Sequence, residues 1–156
     1  MRRLVLKQLE FPLLKSARAW RDEPPPDSIQ AAQRDIEWAG HMVIFYPLWM
    51  GDMPALLKAF IEQALRPGFA FDEPEGRMPR KLLKGRSARL VVTMGMPALV
   101  YRLFYGAHSV RSFKRNILRF SGFGPVRASL IGSVESSGRH RHRWLDRMRA
   151  LGRSAA

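Results

Sequence analysis

Six residues without a formal charge, His41–Tyr46, run directly into the turn-rich segment Pro47-Leu48-Trp49-Met50-Gly51-Asp52, and that segment runs into an amphipathic stretch opening at Pro54. An apolar run bounded by turn residues reads as a strand buried on both faces. Pro54 suits the first turn of a helix, where the missing N–H costs nothing. Leu56, Leu57, Phe60, Ile61 and Ala64 form the apolar side of that helix, and Arg66-Pro67-Gly68 stops it. A strand that hands an apolar loop to a helix belongs in an open α/β sheet. In such sheets ligands sit in the crevice beyond the carboxyl ends of the strands. An indole and two methionines (Met50, Met53) at that place suit a flat aromatic ligand.

The same alternation runs through the chain. Arg3–Gln8 is aliphatic-rich and reads as a strand starting almost at Met1; Pro24-Pro25-Pro26 is a stiff break. Asp27 or Ser28 caps a helix through about Ala39, with Ile29, Ala32, Ile36 and either Gln33 or Ala39 inward. Asp72–Arg86 is polar and reads as a surface excursion. Ala88–Thr93 is a strand whose loop is Met94-Gly95-Met96-Pro97. Short and longer helices follow at Ala98–Tyr105 and Val110–Phe120, then a strand at Val126–Val134 and a basic helix at Gly138–Leu151. Four strands alternating with helices predict one domain, residues 1–156, with a parallel sheet covered on both faces. Val43, Ile44, Phe45, Leu90, Val91, Val92, Leu130 and Ile131, at the strand centres, are expected to be buried.

The stretch Pro47–Phe71 resembles the flavin-dependent NAD(P)H:quinone oxidoreductases of the flavodoxin-like fold. Pro47, Leu48 and Trp49 match the family's Pro-Leu-Trp-Trp loop, with Met50 in place of its second tryptophan. Met53, Pro54, Ala55, Leu57 and Lys58 match the start of its helix, and Gly68, Phe69 and Ala70 match its Gly-Phe-Ala-Tyr. The resemblance implies a flavin, FMN or FAD, with NAD(P)H as co-substrate and a quinone-like acceptor. It implies a cytoplasmic homodimer whose site lies at the dimer interface, lined in part by Phe69–Phe71. Pro47, Leu48, Trp49 and Met50 in one loop, and Thr93, Met94 and Gly95 in the next, are the implied flavin contacts; backbone N–H groups there, Met94's included, would orient the ring. Tyr101, with Tyr105 as a rival, and His108 lie where relatives place a tyrosine and a histidine near flavin and substrate. A histidine can stabilise negative charge developing on a reduced ring or a hydroquinone.

Flavodoxin-like sheets have five strands in the order 2-1-3-4-5. The family-like match here begins at the second strand, near Arg3. The expectation is therefore a fold incomplete at its amino end, without the first strand and the phosphate-binding loop behind it. A gap at the central strand would leave ladder groups unpaired. It would also remove the helix N-terminus that holds the flavin phosphate, so flavin binding is expected to be weak.

Charge is unevenly placed. Residues 1–76 hold 9 basic and 11 acidic side chains; residues 77–156 hold 18 basic and 2 acidic ones, Glu135 and Asp146. This allows a second reading, a non-catalytic ancillary subunit that docks an acidic partner, such as a potassium-efflux transporter, or an anionic membrane face. Basic residues interleave with Trp144, but no nucleic-acid reading motif occurs, so nucleic acid is not expected as a partner. With no cysteine, disulfides, thiolate metal sites and cysteine nucleophiles are excluded. His140 and His142 sit among Arg139, Arg141 and Arg143, whose charge opposes a divalent cation, so no metal is expected. Serine-hydrolase, Walker and Gly-x-Gly-x-x-Gly motifs are absent.

Overall fold

A computed structural model describes residues 1–76 and 78–154; Arg77, inside the predicted surface excursion, and Ala155-Ala156 lie outside the described residues. Three parallel strands form the sheet: β1 (His41–Pro47), β4 (Ser87–Thr93) and β5 (Val126–Ile131), in the order β1-β4-β5. Between the first two, β2 (Phe71–Asp72) and β3 (Arg80–Lys81) make a small antiparallel ladder. The helices are α1 (Ala17–Arg21), α2 (Asp27–Trp38), α3 (Ala55–Ala64), α4 (Ala98–Leu103), α5 (His108–Ser112), α6 (Arg119–Ser121) and α7 (Gly138–Arg153), with a π-helical stretch at Phe113–Leu118 joining α5 to α6.

The strand register explains the core. Ile44, Leu90 and Ala128 lie in one row, and side chains alternate faces along each strand. Met42, Ile44, Tyr46, Ala88, Leu90, Val92, Val126, Ala128 and Leu130 therefore share one face. That face packs on Ile29, Ala32 and Ile36 of α2 and on Leu57, Phe60, Ile61 and Ala64 of α3. The opposite face is covered over only two strands, β4 and β5. Ser129 on β5 is 8% exposed and Val91 beside it on β4 is 2% exposed, but Phe45, next in the same row, is 68% exposed.

This corrects the sequence expectation for two residues. Val43 and Phe45 are exposed, because β1 is the edge strand and none of the described helices lies over its second face. Ile44 is half-buried, and the three β4 residues are buried as expected. The expected strand at Arg3–Gln8 is a short 3-10 turn at Leu6–Gln8. With no neighbouring strand to bond to, its aliphatic residues serve the helix layer instead. Leu6, Leu9 and Phe11 pack against the core, and the Phe11 ring meets Phe60 edge-on at 6.1 Å.

The amino-terminal segment is held to α3 by a buried arginine. The Arg66 guanidinium donates to the carbonyls of Ala19 at 2.9 Å, Glu23 at 2.7 Å and Gln63 at 3.1 Å, and to the Gln63 side-chain oxygen. Among the described residues no helix is long and apolar enough to cross a membrane.

Candidate functional site

Two loops meet at the carboxyl end of the sheet. The Leu48 N–H donates to the Thr93 carbonyl at 2.7 Å, which fixes the loop after β1 against the loop after β4. The first loop closes on itself: Trp49 and Asp52 exchange both backbone bonds, each at 2.9 Å. Its tip, Met50-Gly51, has φ of +49° and +82°. That is the doubly left-handed turn of a tight hairpin, which costs a non-glycine residue about 1–2 kcal/mol. The strained tip is fully exposed at Met50, and the Trp49 indole stands 63% exposed beside it. Leu48 turns inward onto the core, and the Asp52 carboxylate accepts from the Met53 N–H at 2.7 Å.

The second loop is tied down more heavily. Met94 donates to the Ile131 carbonyl at 2.9 Å, Ser133 to Met96 at 3.1 Å and Val134 to Met94 at 3.3 Å. The Met94 N–H expected to face a ring is thus engaged within the protein, and its side chain is buried. Gly95 is different. A Cβ built on it would have no heavy atom within 4 Å, so its backbone faces open space that a ligand could approach closely.

Tyr101 departs from its expected role. It is 1% exposed, and its hydroxyl is 2.7 Å from the Ser109 hydroxyl, so it secures α4 to α5 and presents nothing to a ligand. Its rival Tyr105 is exposed. His108 is exposed, and its Nδ1 lies 3.0 Å from the Tyr105 carbonyl. A carbonyl only accepts, so the hydrogen sits on Nδ1 and Nε2 is left for an outside partner. Tyr46, one residue before Pro47, is buried; burial, with Tyr101 and Asp52 nearby, raises its phenol well above the ordinary value.

The expected cleft holding Trp49, Met50 and Gly95 is not one of the two cavities described next. One, of about 450 Å³, is lined by Trp20, Ile61, Phe71, Ile117 and Phe120 among others; the second, of about 380 Å³, lies by Arg66 and Pro24-Pro25. Phe71, expected at a dimer interface, instead packs within the chain, its ring 4.8 Å from Phe120 and 6.1 Å from Trp20. The carboxyl-edge loops open onto solvent, because the edge position of β1 leaves the Trp49 loop without a neighbouring strand on that side among the described residues. Sequence reasoning missed Arg66, read only as part of a helix stop, and Gly132. A Cβ on Gly132 would fall 2.1 Å from the Ala98 nitrogen, so glycine there is what lets β5 close against the second loop. No group of three histidine or acidic side chains among the described residues could hold a metal.

A sequence profile with the description "Flavodoxin-like fold" matches residues 2–151. The chain belongs to the Flavodoxin_2 family. It is 25% identical over 147 residues to the mouse protein named ribosyldihydronicotinamide dehydrogenase [quinone], covering 88% of this chain and 63% of that one. It is 28% identical over 110 residues to an uncharacterized NAD(P)H oxidoreductase of Haemophilus influenzae, covering 70% of this chain and 54% of that one. The chain thus spans less than two thirds of the length of these relatives. Among solved structures, Smu.1420 from Streptococcus mutans superposes with a TM-score of 0.77 at 24% identity, covering 95% of this chain and 78% of that one. That similarity carries the fold.

Proposed function

We propose that this Flavodoxin_2 chain is the ring-binding part of a flavin-dependent oxidoreductase that passes hydride from NAD(P)H to a quinone-like acceptor. The observation that carries the reading is the Leu48–Thr93 bond. It sets an exposed indole and a glycine with open space beside it at the same end of a parallel sheet. The name of the mouse relative supports a quinone as acceptor, and that of the Haemophilus relative supports NAD(P)H as co-substrate. An FMN-dependent NADH-azoreductase of Bacillus anthracis, solved with FMN, shares the fold.

The residues present fit a flat ring at one end. Trp49 and Met50 offer an apolar shelf, and Gly95 permits close backbone approach. Bound flavin supplies the hydride chemistry; the protein supplies stacking, orientation and a local charge environment. His108, exposed and with Nδ1 engaged by the Tyr105 carbonyl, presents Nε2 to accept a hydrogen bond from a ligand. Asp52, whose carboxylate is turned to the Met53 N–H, supports the loop. The flavin proposed is FMN or FAD, and a homodimer is the assembly proposed with it.

Titrating FMN against Trp49→Ala and wild type tests the reading. Loss of the shelf should weaken binding by about fivefold to a hundredfold, since one base-like ring stacked on an aromatic side chain is worth roughly 1–3 kcal/mol. Equal affinities would reject the shelf. The second reading, a docking subunit, is favoured by α7: none of its residues is buried, and Arg139, Arg141 and Arg143 face outward. Charge reversal at those three arginines would abolish function in that case, while Trp49→Ala would leave it intact.

A further inference from the structure

On the second face of the sheet, away from the two loops, arginines stand side by side. The register sets Val43, Arg89 and Arg127 in one row across β1, β4 and β5. Odd-numbered residues of these strands project from that face, so the two arginine side chains leave neighbouring strands, about 4.8 Å apart, in the same direction. Arg89 is 8% exposed and donates to the Ser129 hydroxyl at 3.0 Å, whereas Arg127 is exposed. One row along, His41 lies opposite Ser87, with its Nδ1 2.7 Å from the Ser87 hydroxyl. Like charges opposite one another on neighbouring strands repel, and a guanidinium as buried as that of Arg89 is poorly relieved by water.

The surrounding elements supply little negative charge. β1, β4 and β5 contain no acidic residue. α7 contains one, Asp146, which pairs with Arg149 at 2.8 Å. Among the described residues no carboxylate pairs with Arg127 or Arg147. Arg147, exposed on α7 with its guanidinium 5.1 Å from the Trp144 ring, adds its charge at Arg89. Burial, then Arg127 and Arg147, draw the Arg89 pKa below its ordinary value; burial, then Arg89 and Arg127, do the same at His41. These groups share one patch of positive potential. Arg89 precedes Thr93 by four residues on β4, which puts the patch about 13 Å back from the second loop.

We propose that Arg127 and Arg147, with Arg89 as a fixed charge behind them, bind a phosphate dianion, either the free ion or a phosphate monoester. Charge and shape select this ligand. A dianion offsets three guanidinium charges better than a single carboxylate does, and phosphate oxygens accept the paired N–H donors of a guanidinium fork. Arg89 keeps its bond to Ser129 and acts through its charge. The site is independent of the flavin reading, because it lies on the face of the sheet and not beyond its carboxyl end.

The full chain, with no flavin added, is titrated by calorimetry with inorganic phosphate, glycerol 3-phosphate and acetate, at constant ionic strength and at slightly alkaline pH, where phosphate is mostly dianionic. Phosphate should bind and raise the melting temperature, and acetate should do neither. Tighter binding of glycerol 3-phosphate would identify an ester as the ligand, and tighter binding of inorganic phosphate the free ion. Arg127→Gln and Arg147→Gln should each weaken phosphate binding by about tenfold. Both side chains are exposed, so these variants should keep the circular dichroism of wild type. Arg139→Gln removes the same charge from α7 about 12 Å from Arg147 and should change binding less than about twofold. Saturating phosphate should also raise the His41 pKa toward its ordinary value, followed by the ring-proton resonance that His41→Asn removes. The proposal is overturned if phosphate fails to bind, if acetate binds as tightly, or if Arg139→Gln weakens binding as much as Arg127→Gln, which would make the attraction net charge alone. It is also overturned if phosphate binds while the His41 pKa stays where it was, which would place the ion elsewhere. Because flavin is absent, failure here leaves the flavin reading standing, and failure of flavin titrations leaves the phosphate site standing.

Discussion

Gly132→Ala should be among the most damaging single-methyl changes in this protein. The added Cβ would meet the Ala98 nitrogen at 2.1 Å, the Met96 carbonyl oxygen at 2.8 Å and the Ala98 Cα at 2.9 Å, all backbone atoms that no side-chain rotation can move aside. Ordinary contact begins near 3.4 Å, so the second loop must retreat by about 1.3 Å (3.4 less 2.1). That retreat stretches the Ser133–Met96 and Val134–Met94 bonds, now 3.1 and 3.3 Å long. Overpacking of this kind costs about 1–3 kcal/mol, and two weakened backbone bonds add about 1 kcal/mol each. The expected loss is roughly 3–5 kcal/mol, a large share of a typical domain's stability. With a urea slope near 2 kcal/mol/M, the midpoint should fall by roughly 2 M. Gly95→Ala is the control from the same loop. It has open space and no left-handed φ, so its midpoint should stay within about 0.3 M of wild type. The reasoning fails if the two variants unfold alike.

Three further outcomes are expected. Arg66→Ala should destabilise by about 2–4 kcal/mol, because it removes a fork that ties four acceptors together, two of them on buried Gln63 and the others on Ala19 and Glu23, and Arg66→Lys should not restore them, since an ammonium cannot span the fork; urea melts of both variants check this. Burial, then Arg89 and Arg127, hold the His41 imidazole below its ordinary 6.5. The neutral form is therefore the native one, and stability is full above 6.5 and lost as pH falls from there toward the native pKa. The melting-temperature difference between wild type and His41→Asn should accordingly move against wild type on acidification and be flat on the alkaline side. Riboflavin and FMN should bind this chain within about tenfold of each other, because the ring loops are not joined by any glycine-rich phosphate motif and each charge-assisted phosphate bond would add about 1.5–3 kcal/mol to FMN alone; calorimetric titration decides it.

Much of the sheet was readable because continuous apolar runs bounded by turn residues leave a strong pattern. Ile44, Leu90 and Val92 stand on the core face, as the apolar runs demanded. Val43 and Phe45 have the same composition and stand in solvent, because composition records what a strand is suited to and not which neighbours cover it. Arg3–Gln8 failed for a related reason. A strand exists only with a ladder partner, and without one Leu6 and Leu9 packed against the helices. At the site, the position of Trp49 at the carboxyl end of the sheet was legible from the apolar loop between strand and helix. The burial of Tyr101 was not, since its partner Ser109 lies eight residues on, beyond a turn. Nor was the engagement of the Met94 N–H, which depends on how closely β5 approaches, and that in turn on Gly132.

The most direct test of the central claim is equilibrium binding and reduction of flavin. The chain is titrated with FMN and with FAD while flavin fluorescence is followed, and the mixture is then given NADH or NADPH without oxygen while the visible flavin band is recorded. The account predicts saturable but weak binding by wild type, bleaching of the band by the nicotinamide and its return with benzoquinone, with Trp49→Ala and Gly95→Ala each binding more weakly while staying folded. A well-folded wild-type protein that shows no saturable binding at any flavin concentration, or binds no better than the two variants, would contradict it.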